Sequence, residues 1–192
     1  MIDLEQSIKE LEKLNGTTFY LGVPRGDKFL NMVAVVNNSG KRIRAKNGKY
    51  LAIPTHAAGG KRPKEIAGLF QPKGKHILAV KDDSQKNGLR VMFILKETIR
   101  IPPRPFLRIT LMDCQKKWVE KLTRYGDDII FRGMTAKEAI DRLKHEMVAD
   151  MKEHIKALKF PENAPLTIER KRDDDPLIDK GTLLKSITCV VE

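Results

Sequence analysis

Cysteine is scarce in this chain. The two present, Cys114 and Cys189, lie far apart and neither belongs to a CxxC pair. That excludes a disulfide framework, a zinc ribbon and a dithiol redox motif, and both are expected as free thiols in a reducing compartment. Aromatic residues make up only 6%, with Trp118 the single tryptophan. No apolar run approaches the roughly 18 residues that a membrane span needs. The opening MIDLEQSIKE is polar and acidic, unlike a secretory leader. Synthesis in the cytoplasm and no membrane partner are therefore expected.

Catalytic spacings are also missing. GLFQPKGK at 68–75 resembles a phosphate loop, but that motif needs four residues between its glycines and Ser or Thr after the lysine. Here five intervene and His76 follows. His145-Glu146 begins like a zinc-peptidase helix, yet position 149, where the second histidine should face the same metal, is alanine. His154 is off by about half a turn, so a solvated helical face is the better reading for both histidines. Asp173, Asp174 and Asp175 stand beside Arg170, Lys171 and Arg172 and read as a charged surface loop. His56 and His76 are isolated in loop-like segments, and Trp118 reads as core. No G-x-S-x-G elbow or paired-carboxylate framework is present, so no catalytic residue, cofactor or metal is assigned.

What the chain does have is charge. Of its 192 residues 32% are charged and the formal net charge is +12. Between Arg25 and Arg108 there are 19 Lys/Arg against 5 Asp/Glu, and elsewhere 18 against 20. The basic block is suited to nucleic acid or to an acidic protein face, or is simply a solubilising surface. Lys41, Arg42, Arg44, Lys46, Lys49, Lys61, Arg62 and Lys64 are its candidate contact residues.

The length suits a single domain, 1–192, able to bury its own core. Residues 3–14 read as an amphipathic helix capped by Asp3, with Leu4, Ile8 and Leu11 on one face and Asn15-Gly16 ending it. TTFYLGVP at 17–24 reads as a strand. NMVAVVNNSG at 31–40 has an ambiguous period, and a short helix is expected. Segment 41–97 is a basic, β-rich insertion with mobile loops. Its candidate strands are 50–54, 76–80, 91–95 and 97–101, separated by turn signals.

Two long helices follow. The first spans about 104–125, with Leu107, Leu111, Cys114, Trp118 and Leu122 as its apolar stripe and Gly126 as its stop. Asp113–Lys117 and Glu120–Arg124 are spaced as ion pairs on its wet side. The second spans about 136–158. It opens on a Thr135/Glu138 capping box and carries a stripe of Ala136, Ile140, Leu143, Met147, Met151, Ile155 and Leu158. Pro161 and Pro165 forbid its continuation. Near the end, Asp179 or Thr182 is placed to cap one helical turn before a last strand, SITCVV.

Two motifs are more distinctive: IPPRPFLR at 101–108 and PLIDKGTLLKSI at 176–187. In the first, Pro102 and Pro103 hold an extended approach, and Pro105 suits the first turn of a helix. Phe106 and Leu107 then anchor that helix, and Arg104 and Arg108, one turn apart, are placed to engage a carboxylate. In the second, Gly181 supplies a conformation open to few residues and Asp179 can accept from backbone amides ahead of it. Together these motifs resemble the virion morphogenesis proteins of tailed bacteriophages, the tail-completion or neck proteins. Those typically carry Ile-Pro-x-Arg-Pro-Phe entering a helix and Pro-Leu-x-Asp-x-Gly-x-Leu-x-x-Ser-Ile before a strand. The chain departs from them in having Asn-Ser-Gly at 38–40 where Glu-Phe-Gly is usual, Lys180 where Thr is usual, and 41–97 in place of a short loop.

The expected fold is α+β, a small, mostly antiparallel sheet covered by two long helices, with the basic insertion added. The resemblance implies a non-enzymatic particle protein at the head–tail junction. It implies a self-associated ring, a hexamer, docked on neck, connector or tail proteins, with non-specific contact to packaged DNA as a further expectation. The competing expectation is a nucleic-acid-binding protein that uses residues 25–108.

Overall fold

The computed structural model describes residues 4–171 and 174–192. The expected cap Asp3 and the loop residue Asp173 lie outside them. The fold is α+β, and the chain divides into two compact units. One comprises residues 4–39, 104–160 and 175–192; the other comprises 40–103 and 161–174. Among the described residues no helix is long and apolar enough to cross a membrane.

In the first unit, α1 (Leu4–Asn15) is followed by strand β1 (Phe19–Gly22) and α2 (Lys28–Ser39). The ambiguous 31–40 run is thus helical. The long helices are α3 (Phe106–Arg132) and α4 (Ala136–Ala157), and α6 (Thr182–Ser186) leads into β7 (Thr188–Val191). Strands β1 and β7 pair antiparallel, Phe19 opposite Val191 and Gly22 opposite Thr188, and pack against α4.

Helix α3 is longer than its sequence suggested. Gly126 lies inside it; Gly133, in the left-handed region at φ 69°, is the stop, its N–H donating to the Asp128 carbonyl. The apolar pattern continues past Gly126 to the buried Ile129. Gly126 is an interior helical position: a Cβ there would make an ordinary contact, 3.7 Å from the Leu11 side chain of α1. The buried stripe is Phe106, Thr110, Cys114, Trp118 and Ile129, whereas Leu111 is exposed.

The wet side of α3 is also rearranged. Lys117 donates to Asp150 on α4 at 2.6 Å rather than to Asp113, and Trp118 Nε1 donates to the other oxygen of Asp150 at 2.7 Å. Asp113 instead meets His154 at 3.2 Å, and Lys121 pairs with Glu146. Glu120 and Arg124 form no ion pair among the described residues. Across packed antiparallel helices an opposite charge on the partner is as near as one a turn away, and a buried carboxylate needs every donor it can reach.

Helix α4 starts as its capping box predicts: Glu138 N–H donates to Thr135 Oγ1 at 3.2 Å, and Thr135 N–H donates to Glu138 at 3.0 Å. A second cap comes from α1, where buried Glu10 accepts from the Ala136 N–H at 2.7 Å and from Lys13 at 2.6 Å. This inverts α1. Its buried residues are Ser7 and Glu10, while Leu4 and Ile8 face solvent. Carboxylates at a helix N-terminus face unpaired amides and the positive end of the dipole, and that geometry sets how α1 is rotated.

Two apolar clusters fill this unit. Phe106, Ala34, Met151, Ile155, Leu177, Leu183 and Ile187 form one. Cys114, Trp118, Leu143, Met147 and Cys189 form the other. Burial raises both thiol pKa values, and Asp150 raises that of Cys114 further.

The second unit holds β2 (Lys41–Arg44), β3 (Leu51–Pro54), β4 (Ile77–Lys81), β5 (Leu89–Lys96), β6 (Thr98–Ile101) and α5 (Pro165–Lys171). The small antiparallel sheet that accompanies the long helices is β1–β7, and the basic insertion adds two more among the described residues, β2–β6 and β3–β5–β4. Only β1–β7 belongs to the unit of the long helices. The other five strands pair locally within 41–101, and Ala58, Met92 and Phe93 form a core for them with Ala52, Ile66, Leu69, Leu78 and Val80. Strand β2 was not foreseen, since KRIR carries only one apolar residue; neither was α5.

Phe106→Ala should lower unfolding stability by about 3–5 kcal/mol, measured by chemical denaturation, whereas Leu111→Ala should change it by less than about 0.5 kcal/mol. The capping carboxylates predict acid sensitivity. Hydrogen bonds from Lys13 and Ala136 lower the pKa of Glu10 below its ordinary 4.5, and those from Thr135 lower Glu138. Depressed carboxyl groups stabilise the fold fully above their unfolded values, and the contribution is lost as pH falls through the folded ones. The melting temperature should therefore drop below about pH 4.5, and Glu10→Gln/Glu138→Gln should melt lower at pH 7 but lose less on acidification.

Candidate functional site

The two distinctive motifs meet in space. Phe106, from the first, is 0% exposed and packs with Leu177, Leu183 and Ile187 from the second. Helix α2 joins them through Ala34 and through its C-terminal end. The Asn37 carbonyl accepts from the Arg104 N–H at 2.7 Å, and Asn38 Oδ1 accepts from the Leu107 N–H at 3.3 Å. These bonds use an end-of-helix carbonyl of α2 and a first-turn amide of α3 at once, groups a helix cannot satisfy internally.

The other motif residues are placed as follows. Pro105 sits one position before the helix, at its N-cap, rather than in its first turn. Pro102 is half-buried at the end of the extended approach. Arg104 is buried and Arg108 is exposed, so the two do not form a joint clamp. Asp179 is exposed and does not cap α6; the N-cap is Gly181, at φ 71° with no side-chain cap, so Thr182 is not the cap either. A left-handed N-cap is why glycine stands there.

Gly40 and Pro103 mark where the second unit leaves and rejoins the chain. Gly40 adopts φ +70°, and a Cβ there would stand 2.8 Å from the Pro103 nitrogen and 2.9 Å from the Ile101 carbonyl oxygen. Any other residue would be strained and would collide with backbone, so the Asn-Ser-Gly turn at 38–40 requires its glycine.

All eight basic candidates, Lys41, Arg42, Arg44, Lys46, Lys49, Lys61, Arg62 and Lys64, are exposed. Lys49 meets a carboxylate, Glu97, at 3.5 Å and lies over the Tyr50 ring; its pKa is raised, first by Tyr50 and then by Glu97. The structure does not gather all eight. Lys64 lies in a 3-10 turn, Pro63–Glu65, with Arg62 at its N-cap and Lys61 just before it, apart in sequence from the β2–β6 ribbon. Within that ribbon Arg42 lies opposite Arg100 and Arg44 opposite Thr98. Arg100 was not singled out in the sequence, because only the register shows it facing Arg42.

A second feature the sequence did not mark as functional is the outer face of α2. Its inner side buries Ala34, yet Phe29, Met32 and Val35 are 68%, 53% and 62% exposed. On α3, Leu111, Met112 and Val119 are likewise uncovered. A groove of about 460 Å³ between α1 and the α3–α4 turn is lined by Gln6, Glu10, Ile129, Phe131 and Met134, and Glu10 is already engaged in capping α4. No cluster of three metal-ligating side chains occurs among the described residues. Comparison with known proteins found no family model, no curated protein and no solved structure that matches this chain.

Proposed function

We propose that this protein is a structural subunit of a tailed-phage particle, self-associating into a ring at the head–tail junction and working by docking rather than by chemistry. The observation that carries the reading is helix α2, which is apolar on both sides. One side closes the Phe106 cluster where the two family-like motifs meet; the other presents Phe29, Met32 and Val35 to solvent. A helix apolar all round is ordinarily buried, and an apolar patch left open on a folded chain marks a protein contact.

A closed ring is built from head-to-tail contacts, in which two different patches of the same chain meet. The uncovered Leu111, Met112 and Val119 of α3 supply a second apolar patch on the same unit. The motifs themselves do core work, holding the α2–α3 junction rigid so that both patches keep their geometry. Ring size is taken from the resemblance, which favours a hexamer. The neighbouring neck, connector or tail proteins would dock on the faces of that ring.

Mass spectrometry of intact assemblies tests this. The wild-type chain should run as a hexameric ring, and Phe29→Glu/Val35→Glu as a folded monomer with an unchanged melting temperature. A wild-type chain that stays monomeric at every concentration reached, or a double variant that assembles as well as wild type, would overturn the reading.

A further inference from the structure

The β2–β6 ribbon has two unlike faces. Because side chains alternate along a strand, the register places Ile43, Ile99 and Ile101 with Lys41 on one face, and the three isoleucines are half-buried. The opposite face carries Arg42, Arg44, Arg100 and Thr98, all exposed. Arg42 and Arg100 are direct cross-strand partners. Like charges so placed repel, and a ribbon of two strands is marginal to begin with. No carboxylate relieves them: none of the three arginines has an ion pair among the described residues, whereas Arg90, elsewhere in the same unit, is held by Asp82 at 2.6 Å.

The residue type is selective. Segment 40–103 contains ten lysines, scattered over it, and five arginines, three of which share this one face. Lysine would solubilise a surface equally well; the planar guanidinium is the group whose paired N–H donors match the oxygens of a phosphate. Arg42 and Arg44 stand one pleat repeat apart, about 6.7 Å, with Arg100 beside them at about 5 Å between Cβ atoms. The set forms a compact row of forked donors.

We propose that this face, Arg42, Arg44 and Arg100 on the outside of the β2–β6 ribbon, is a binding site for the phosphate backbone of duplex nucleic acid, engaged without regard to base sequence. The face has no apolar side chain, so it lacks the dry centre of a protein–protein contact. It has no aromatic ring, so it lacks the stacking platform that single strands require. Three arginines and a threonine carry no base-reading arrangement either, and phosphate contacts alone fix position without specifying sequence. The surrounding segment, with 15 Lys/Arg against 4 Asp/Glu, supplies the long-range field that draws a polyanion to the site. The phosphates are the missing counter-charge for the Arg42–Arg100 pair. The site does not depend on ring formation, since a monomer presents the same face.

Fluorescence anisotropy of a short random-sequence DNA duplex titrated with the full chain, over about 50–200 mM salt, tests the proposal. Arg42→Gln/Arg44→Gln/Arg100→Gln should weaken binding at least about tenfold and flatten the plot of log K against log salt by about 2.7, the release of three counterions' worth of contacts. Lys73→Gln/Lys75→Gln/Lys86→Gln removes the same charge from outside the ribbon and should weaken binding less than about threefold. Arg100→Thr alone should weaken duplex binding and yet raise the melting temperature of the free protein, by up to about 4 °C, because the repulsion is gone. Equal losses in the two triple variants would mean diffuse attraction rather than a site, and would overturn the proposal. So would displacement of the duplex by polyglutamate at matched charge, which would assign the face to an acidic protein. An Arg100→Thr variant that melts lower and binds DNA unchanged would overturn it as well.

Discussion

The burial of Phe106 is the contact on which the first unit depends. The ring is closed over by side chains from four separate stretches of chain: Ala34 of α2, Met151 and Ile155 of α4, Leu177 before α6, and Leu183 and Ile187 in and after it. Helix α3 begins at Phe106 because two prolines hold the approach extended, and because Asn37 receives the Arg104 amide just before it and Asn38 the Leu107 amide of its first turn. Helix α2 ends there for the same reason seen from the other side. Removing the ring would leave a cavity bordered by all of these elements, which is why the cost falls on the whole unit rather than on one helix.

Polar groups decide orientation where apolar ones supply attraction. Asp150 gathers Lys117 and Trp118 across the α3–α4 seam and so fixes the register of two helices whose stripes could slide past each other; the same contact keeps Lys117 cationic by raising its pKa. Glu10 does the corresponding job for α1. Its bond to Ala136 outranks the burial of Leu4 and Ile8, which are left in water. Carboxylates at the start of α4 thus trade apolar burial for direction, and they leave apolar side chains available on the surface of the unit.

Much of this could be read in the sequence, and the misses share a cause. Local signals held. The Thr135/Glu138 box marks the start of α4 to the residue, most strands of the 41–101 stretch fall within a residue or two of their β-rich runs, and the period of four and three puts Trp118 in the core. What failed needed a partner distant in sequence. Gly126 looks like a terminator until Ile129, beyond it, is seen buried beside Ser7 of α1. Leu4 and Ile8 look like a core stripe until Glu10 is seen at α4. Lys117 looks like the partner of Asp113 until Asp150 arrives across the seam. The basic segment was visible as composition, but the arginine face within it exists only once the register sets Arg42 opposite Arg100. In the second motif, Asp179 carries the signature of a cap, and the left-handed backbone of Gly181 takes that position instead.

The pairing of β1 with β7 carries a consequence for synthesis. Phe19 lies opposite Val191 and Tyr20 opposite Val190, so among the described residues β1 has its ladder partner in a strand made 172 residues after it (191 − 19). The strands of the 41–101 stretch, by contrast, pair over at most 60 residues, the separation of Lys41 from Ile101 (101 − 41), and contacts nearer in sequence form faster. During translation those strands can therefore be paired while β1 is still waiting with both edges bare, and an unpaired strand is where nascent chains misassociate. Strand β1 is short, four residues ending in glycine. That keeps the waiting edge a poor template for other chains on the same ribosome cluster until β7 emerges to claim it.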